Sequence, residues 1–102
     1  MIQKKKILFH SNYCGAPTGF GGFMRELLSY LYKKNKYEII LYAGGVPWET
    51  PEFQRFPWKI YGSLPNNPQE MEIINRDPMQ ARNAAYGAHY IDKVINLTRP
   101  DV

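Results

Sequence analysis

The stretch NYCGAPTGFGG, Asn12 to Gly22, holds Gly15, Gly19, Gly21 and Gly22 within eight residues. Residues without a side chain let the backbone approach a ligand closely and take positive φ. An amphipathic helix follows, and the start of a helix presents N–H groups without intrahelical partners and about half a positive charge. Together these can bind a phosphate or a carboxylate. The plainer alternative is a glycine-rich turn with no ligand.

The surrounding residues narrow the ligand. A P-loop needs Gly-Lys followed by Ser or Thr, to reach the phosphates and a magnesium ion. Here Phe23 follows Gly22. The dinucleotide fingerprint needs three glycines, and Gly19, Gly21 and Met24 supply only the first two. It also needs an acidic residue at the end of the second strand to hold a ribose, where this chain has Tyr42-Ala43-Gly44-Gly45. NAD is therefore not expected. His10 and His89 are the only histidines and fall on different elements, so no metal set and no cofactor is expected. His10 reads as a polar strand terminus, with contact to a ligand as the alternative, and His89 as a solvated helix residue. Arg25 and Glu26 read as a helix-surface pair. Cys14 has no histidine near it in sequence to activate it and reads as an inert thiol. No residue is assigned a catalytic role.

These residues need elements to position them. Ile7, Leu8 and Phe9 are consecutive and apolar, which predicts a strand over 5–11 buried on both faces. The loop runs from Asn12 to about Phe20. Phe23, Met24, Leu27, Leu28 and Leu31 share one stripe, predicting a helix from about Gly21 to Lys34 that stops at Asn35. YEIILYAG predicts a second strand over 37–44. Two such strands joined by a helix make a parallel pair with a right-handed crossover.

The segment after Gly44 carries five prolines before Gln69 and cannot be one regular element. We read a third strand over 58–63 and a long loop from Val46 to Pro57 with a short helical turn near Glu52. Trp48, Phe53 and Phe56 in that loop either pack it down or form a platform for a sugar or a partner. Asp77-Pro78 is a helix start, with an N-cap followed by proline at the first helical position. Ala81, Ala84, Ala88, Ile91 and Ile95 mark one face of a helix running through Leu97, roughly 30 Å long at about 1.5 Å per residue. Gly87 inside it implies a packing reason. Pro100 ends it. The closing Arg-Pro-Asp-Val resembles the lead-in to another parallel strand. This implies that the 102 residues form the front part of a larger α/β design, with an open edge on the first strand.

Composition bounds the rest. The chain is 44% hydrophobic and 15% aromatic, which argues for a folded α/β unit of one domain. No apolar run approaches the roughly 20 residues that span a bilayer. The short apolar run after the first lysines does not make a secretory signal. Cys14 is the only cysteine, so no internal disulfide can form, which fits a reducing cytoplasm. The formal charge of +4 comes mainly from Lys4, Lys5 and Lys6 and from Lys33, Lys34 and Lys36. These read as solvated ends of elements. Contact with nucleic acid or an anionic membrane is the alternative, though no nucleic-acid signature accompanies them.

The segment KILFHSNYCGAPTGFGGFMRELLSYL resembles the amino-terminal segment of GT-B glycosyltransferases, in the large retaining group that uses nucleotide-sugar donors. The shared features are a strand, a loop ending in Thr-Gly-Phe-Gly and a helix carrying Arg-Glu-Leu-Leu. YGAHYIDKVINLTRPDV is similar to that family's helix before its fourth strand. The resemblance covers most of the chain and is weakest over 46–76. It implies a partial Rossmann-like domain on the acceptor side of a two-domain cleft. By resemblance, Gly19, Phe20, Gly21 and Gly22 lie at the donor phosphates, and Asn12, Tyr13 and Thr18 face the acceptor. The family's donor-binding second domain has no counterpart in these residues, so the implied fragment is inactive alone. Two other readings stay open. One is a binding or interaction module using the glycine loop or the open sheet edge, self-association included. The other is a small flavodoxin-like nucleotide-binding protein.

Overall fold

The computed structural model describes residues 4–17, 19–85, 87–88 and 90–102. Its elements are β1 (Lys5–Asn12), α1 (Gly19–Lys34), β2 (Tyr37–Pro47), a 3₁₀ turn (Pro51–Arg55), β3 (Lys59–Leu64), α2 (Pro68–Asn75), α3 (Pro78–Ala85) and α4 (Ile91–Thr98). The fold is α/β: a three-stranded parallel sheet in the order β1-β2-β3 with helices packed on it. That is the partial Rossmann-like unit expected from the apolar runs and the intervening helix.

Each strand and α1 run slightly beyond or beside their expected bounds. β1 pairs with β2 from Lys5↔Tyr37 to Asn12↔Gly44 without a break. β2 continues three residues past Gly44, and its pairing with β3 shifts between Ala43 and Pro47. The Gly45 N–H donates to Ser63 Oγ at this irregularity (2.9 Å).

Side-chain alternation along β2 builds a core on each face. Ile39, Leu41 and Ala43 pack with Met24 and Leu28 of α1, with Cys14, and with Phe53, Trp58 and Ile60. Ile40 and Tyr42 are also buried, on the face that α3 and α4 contact. Phe53 and Phe56 of the long loop belong to the first core, where Phe56 stacks on Trp58 with centroids 5.5 Å apart. Trp48 packs on Tyr61 and Tyr90. The loop aromatics thus hold the 48–58 crossover down.

Two expectations need correction. Between Asp77 and Leu97 there is not one long helix but two short ones. α3 ends in a Schellman motif: the Gly87 N–H donates to Ala84 O (3.1 Å) and the Ala88 N–H to Asn83 O (2.9 Å). Gly87 takes φ +97°, the left-handed backbone that this C-cap requires and glycine alone adopts freely. Four helices therefore replace the two main helices expected. α2 was not anticipated, although Asn67 caps it by accepting the Gln69 N–H at 2.8 Å ahead of Pro68.

The outer edge of β1 is also not fully open. The Val102 N–H donates to Lys6 O (3.2 Å) and the Leu8 N–H donates to Val102 O (2.9 Å). One residue bonding two neighbours two positions apart is the parallel-ladder pattern. Asp101 adds its N–H to Lys6 O and accepts the Lys6 N–H on Oδ2 (2.8 Å). Beyond Leu8 no backbone partner bonds this edge among the described residues. No helix among them is long and apolar enough to cross a membrane.

Candidate functional site

The parallel strands put Asn12 and Gly44 side by side at the carboxyl end of the sheet. β2 and β3 lie to one side of β1, and Val102 bonds its other side. The chain's return to the far side of β1 is this one residue, outside the three strands of the sheet, and a strand continuing from it would reverse the order at β1. In open parallel sheets, ligands bind beyond the carboxyl ends of strands at such a reversal. The glycine loop sits there.

Within the loop, the residues divide into those turned inward and those facing outward. Tyr13 is 6% exposed, and its ring packs on Phe53 and Phe56 at 5.4 and 6.0 Å between centroids. Burial pushes its hydroxyl pKa up, with the Glu52 carboxylate adding to the effect. Cys14 is fully buried, and burial pushes its thiol pKa up as well. A raised thiol pKa at a closed position matches the reading of an inert cysteine. Tyr13 O accepts the Ala16 N–H (3.0 Å), closing the turn. Gly21 is buried against this turn: a Cβ there would lie 2.4 Å from Ala16 O and 2.9 Å from Tyr13 O. Its glycine is required for packing of the helix start on the loop.

Gly19 and Gly22 differ. A Cβ at either would meet nothing within 4 Å. Phe20 between them is 72% exposed. The first turn of α1 carries no acidic side chain, so its positive end is not offset from within the helix. Of the expected donor-side residues, Gly19, Phe20 and Gly22 present an open surface and Gly21 supports it from beneath. Thr18 lies outside the described residues, as does His89.

Asn12 is exposed and belongs to a second feature. His10, Ser11, Asn12, Gly44, Gly45 and Ala85 line an open depression of about 480 Å³ at the carboxyl ends of β1 and β2. The walls are fixed by hydrogen bonds. Ser63 Oγ accepts the Gly45 N–H and donates to Ala85 O (3.4 Å). The Tyr42 hydroxyl donates to Gly87 O (2.7 Å), and the His10 ring lies 4.9 Å from the Tyr42 ring. Burial raises the Tyr42 pKa, so it remains a neutral donor. No carboxylate lines the depression. Such a surface can hold a ligand bearing hydroxyl groups but offers no acid–base pair of carboxyl groups. No group of three or more metal-ligating side chains occurs among the described residues.

Sequence reasoning thus brought Asn12 to this site and placed Tyr13 beside it, whereas the Tyr13 ring turns into the core. Ser11, Gly44 and Gly45 were overlooked as lining residues. The signal was present in the second strand, since Gly44-Gly45 ends it with no side chain over the mouth of the sheet. No family model, no curated protein and no solved structure matches this chain significantly.

Proposed function

We propose that this chain is the acceptor-side, amino-terminal part of a nucleotide-sugar-dependent glycosyltransferase of GT-B type, inactive by itself. The observation that carries this reading is Val102 laid parallel on the outer edge of β1, where a following strand would reverse the order of the sheet. The parallel direction of the strands sets the turn Gly19–Gly22 and the depression at Asn12 on the same end of the sheet. Gly19, Phe20 and Gly22 would meet the donor diphosphate with backbone N–H groups, Gly21 holding the turn in place. Asn12, with His10 and Ser11, would meet hydroxyl groups of the acceptor. The reacting carboxylates and the nucleotide pocket would belong to a second Rossmann-like domain, of which these residues contain no part.

The test is a backbone amide titration of the 102-residue chain by NMR. Pyrophosphate or a nucleoside diphosphate at millimolar concentration should shift the Gly19, Phe20 and Gly22 signals and leave α2 and α3 unmoved. Simple glycosides should shift Asn12, Gly44 and Gly45. Silence at Gly19–Gly22 with every diphosphate would overturn the reading. A second reading, a binding module that adds a strand to its sheet, is favoured by the β1 edge from Phe9 to Asn12, which bonds no backbone partner on its outer side among the described residues. It predicts concentration-dependent self-association in solution and no diphosphate response.

A further inference from the structure

The parallel topology gathers charge as well as ligand-facing loops. The amino ends of all three strands and the carboxyl end of α1 share one rim, opposite the glycine loop. Lys4, Lys5 and Lys6 enter β1, Lys33, Lys34 and Lys36 link α1 to β2, and Lys59 opens β3. Arg99 joins them from the end of α4. Lys4, Lys5, Lys6, Arg99, Glu38 and Asp101 line one depression of about 430 Å³. A neighbouring one of about 510 Å³ shares Lys4 and Glu38 and reaches Tyr32, Tyr37 and Lys59.

Eight of the thirteen basic residues lie on this rim, with two of the nine acidic ones, Glu38 and Asp101. The rim therefore carries a formal +6 and the rest of the molecule −2, out of a total of +4. Among the described residues its cations are not ion-paired, although Lys4 Nζ donates to Asn35 Oδ1 (2.5 Å) and Lys6 Nζ to Thr98 O (3.2 Å). Among the described residues only Arg55 and Arg76 form ion pairs, with Glu52 and Glu72. Lys33 and Lys34 partly answer the negative end of α1, but that does not account for Lys4, Lys5, Lys59 or Arg99. A patch of this size at one pole orients the molecule in an external field.

We infer that this rim docks the protein on an anionic lipid bilayer. Seven of its eight cations are lysines, point charges suited to a headgroup layer. Bidentate reading of phosphates or bases relies on arginine. The rim consists of strand starts and a helix end, so it presents no helix lengthwise to a nucleic-acid groove. Tyr30 and Tyr32, 59% and 47% exposed, stand beside Lys33 and Lys34, and Lys34 Nζ lies 4.9 Å from the Tyr30 ring centre. Tyrosine next to lysine is the pairing found at the membrane–water interface. Docked this way, the glycine loop at the other end of the sheet faces away from the bilayer.

Co-sedimentation of the 102-residue chain with vesicles tests this. Vesicles of phosphatidylcholine and phosphatidylglycerol should bind it at low ionic strength and release it in high salt, while pure phosphatidylcholine should not bind. Each lysine neutralised should weaken partitioning about fivefold, so Lys33→Gln, Lys34→Gln and Lys36→Gln together should cost about a hundredfold. Lys4→Gln with Lys5→Gln, which removes the Lys4 Nζ bond to Asn35 Oδ1 (2.5 Å) beyond the end of α1 but no charge from the helix itself, should cost about 25-fold. Arg76→Gln with Arg82→Gln, away from the rim, should change nothing. Equal binding to neutral and anionic vesicles, or a control pair as damaging as the lysine pairs, would overturn the inference. So would tighter binding to a short RNA duplex than to the anionic vesicles at the same salt.

Discussion

The chain returns to its sheet three times, and the first return is built differently from the two later ones. From β1 to β2 it uses one helix of sixteen residues with a single apolar stripe. From β2 to β3 it uses a 3₁₀ turn, and from β3 to Val102 three helices of eight residues each. In the first return, burial of one face decides the path. In the later two, individual caps and close backbone contacts decide it. Asn66 shows the second mode: its side chain accepts the Glu49 N–H (2.9 Å) and donates to Glu49 O (2.6 Å), tying the start of the loop to the end of β3. A path set by periodicity tolerates single changes along its stripe. A path set by point contacts should fail at those points.

The strongest test of that difference is Gly62→Val. A Cβ at Gly62 would lie 1.7 Å from Pro47 O. That carbonyl cannot retreat, because the Trp48 N–H is bonded to Leu64 O (2.6 Å) and the Gly62 N–H to Trp48 O (3.0 Å). We expect a loss above about 4 kcal/mol, read as absence of a cooperative thermal transition in the purified variant. A transition like that of the parent would show that the β2–β3 crossover has room the contacts deny.

Gly87→Ala tests the break between α3 and α4 through the sign of its effect. If a single helix ran from Pro78 to Leu97, alanine would stabilise it by up to about 1 kcal/mol. With φ at +97° and a Cβ that would lie 2.4 Å from His10 Nε2, we expect destabilisation of about 1–3 kcal/mol, measured by urea unfolding. Next in size are the caps. Asn67→Ala and Asp77→Ala each remove one side-chain acceptor, from the Gln69 and the Met79 N–H, and should each cost about 1 kcal/mol. Equal costs at the two would place α2 and α3 on the same footing.

These residues also show what could be read in the sequence. The first βαβ unit was legible because its apolar runs and stripe are long enough for period to be counted. Asp77-Pro78 was legible as a helix start, and its N-cap is present. Asn67-Pro68 carries the same signal, but it stands among five prolines and opens a helix of only eight residues, too short for its apolar period to stand out. Gly87 stands among alanines at helical spacing and so has the sequence pattern of a mid-helix packing residue. The correct sense, a left-handed C-cap, needed the Ala-Ala-Tyr-Gly-Ala order to be weighed as a stop signal. The docking of Asp101 and Val102 on β1 agrees with the lead-in to a parallel strand read from Arg-Pro-Asp-Val. At the site, residue types marked the loop as a whole but not which way each residue turned. Tyr13 and Asn12 are adjacent, yet strand alternation and the aromatic cluster send one into the core and leave the other at the mouth of the sheet.

The finest contrast is between Gly21 and Gly22, neighbours in the same helical turn. A methyl group at Gly21 would press on Ala16 O and Tyr13 O, whereas at Gly22 it would enter open space. Gly21→Ala should therefore destabilise by about 1–3 kcal/mol, since two backbone oxygens must move. Gly22→Ala should stabilise by about 0.5–1 kcal/mol, since alanine loses less entropy on entering a helix. The smaller effect is the more informative one. Gly22→Ala leaves the fold intact, so any change in diphosphate-induced shifts at Gly19 and Phe20 reports on the binding surface alone. Weaker shifts in a more stable protein would mean that Gly22 is kept for a ligand at a cost in stability. Unchanged shifts would leave Gly21, and with it the packing of the turn, as the only structural reason for the glycine pair.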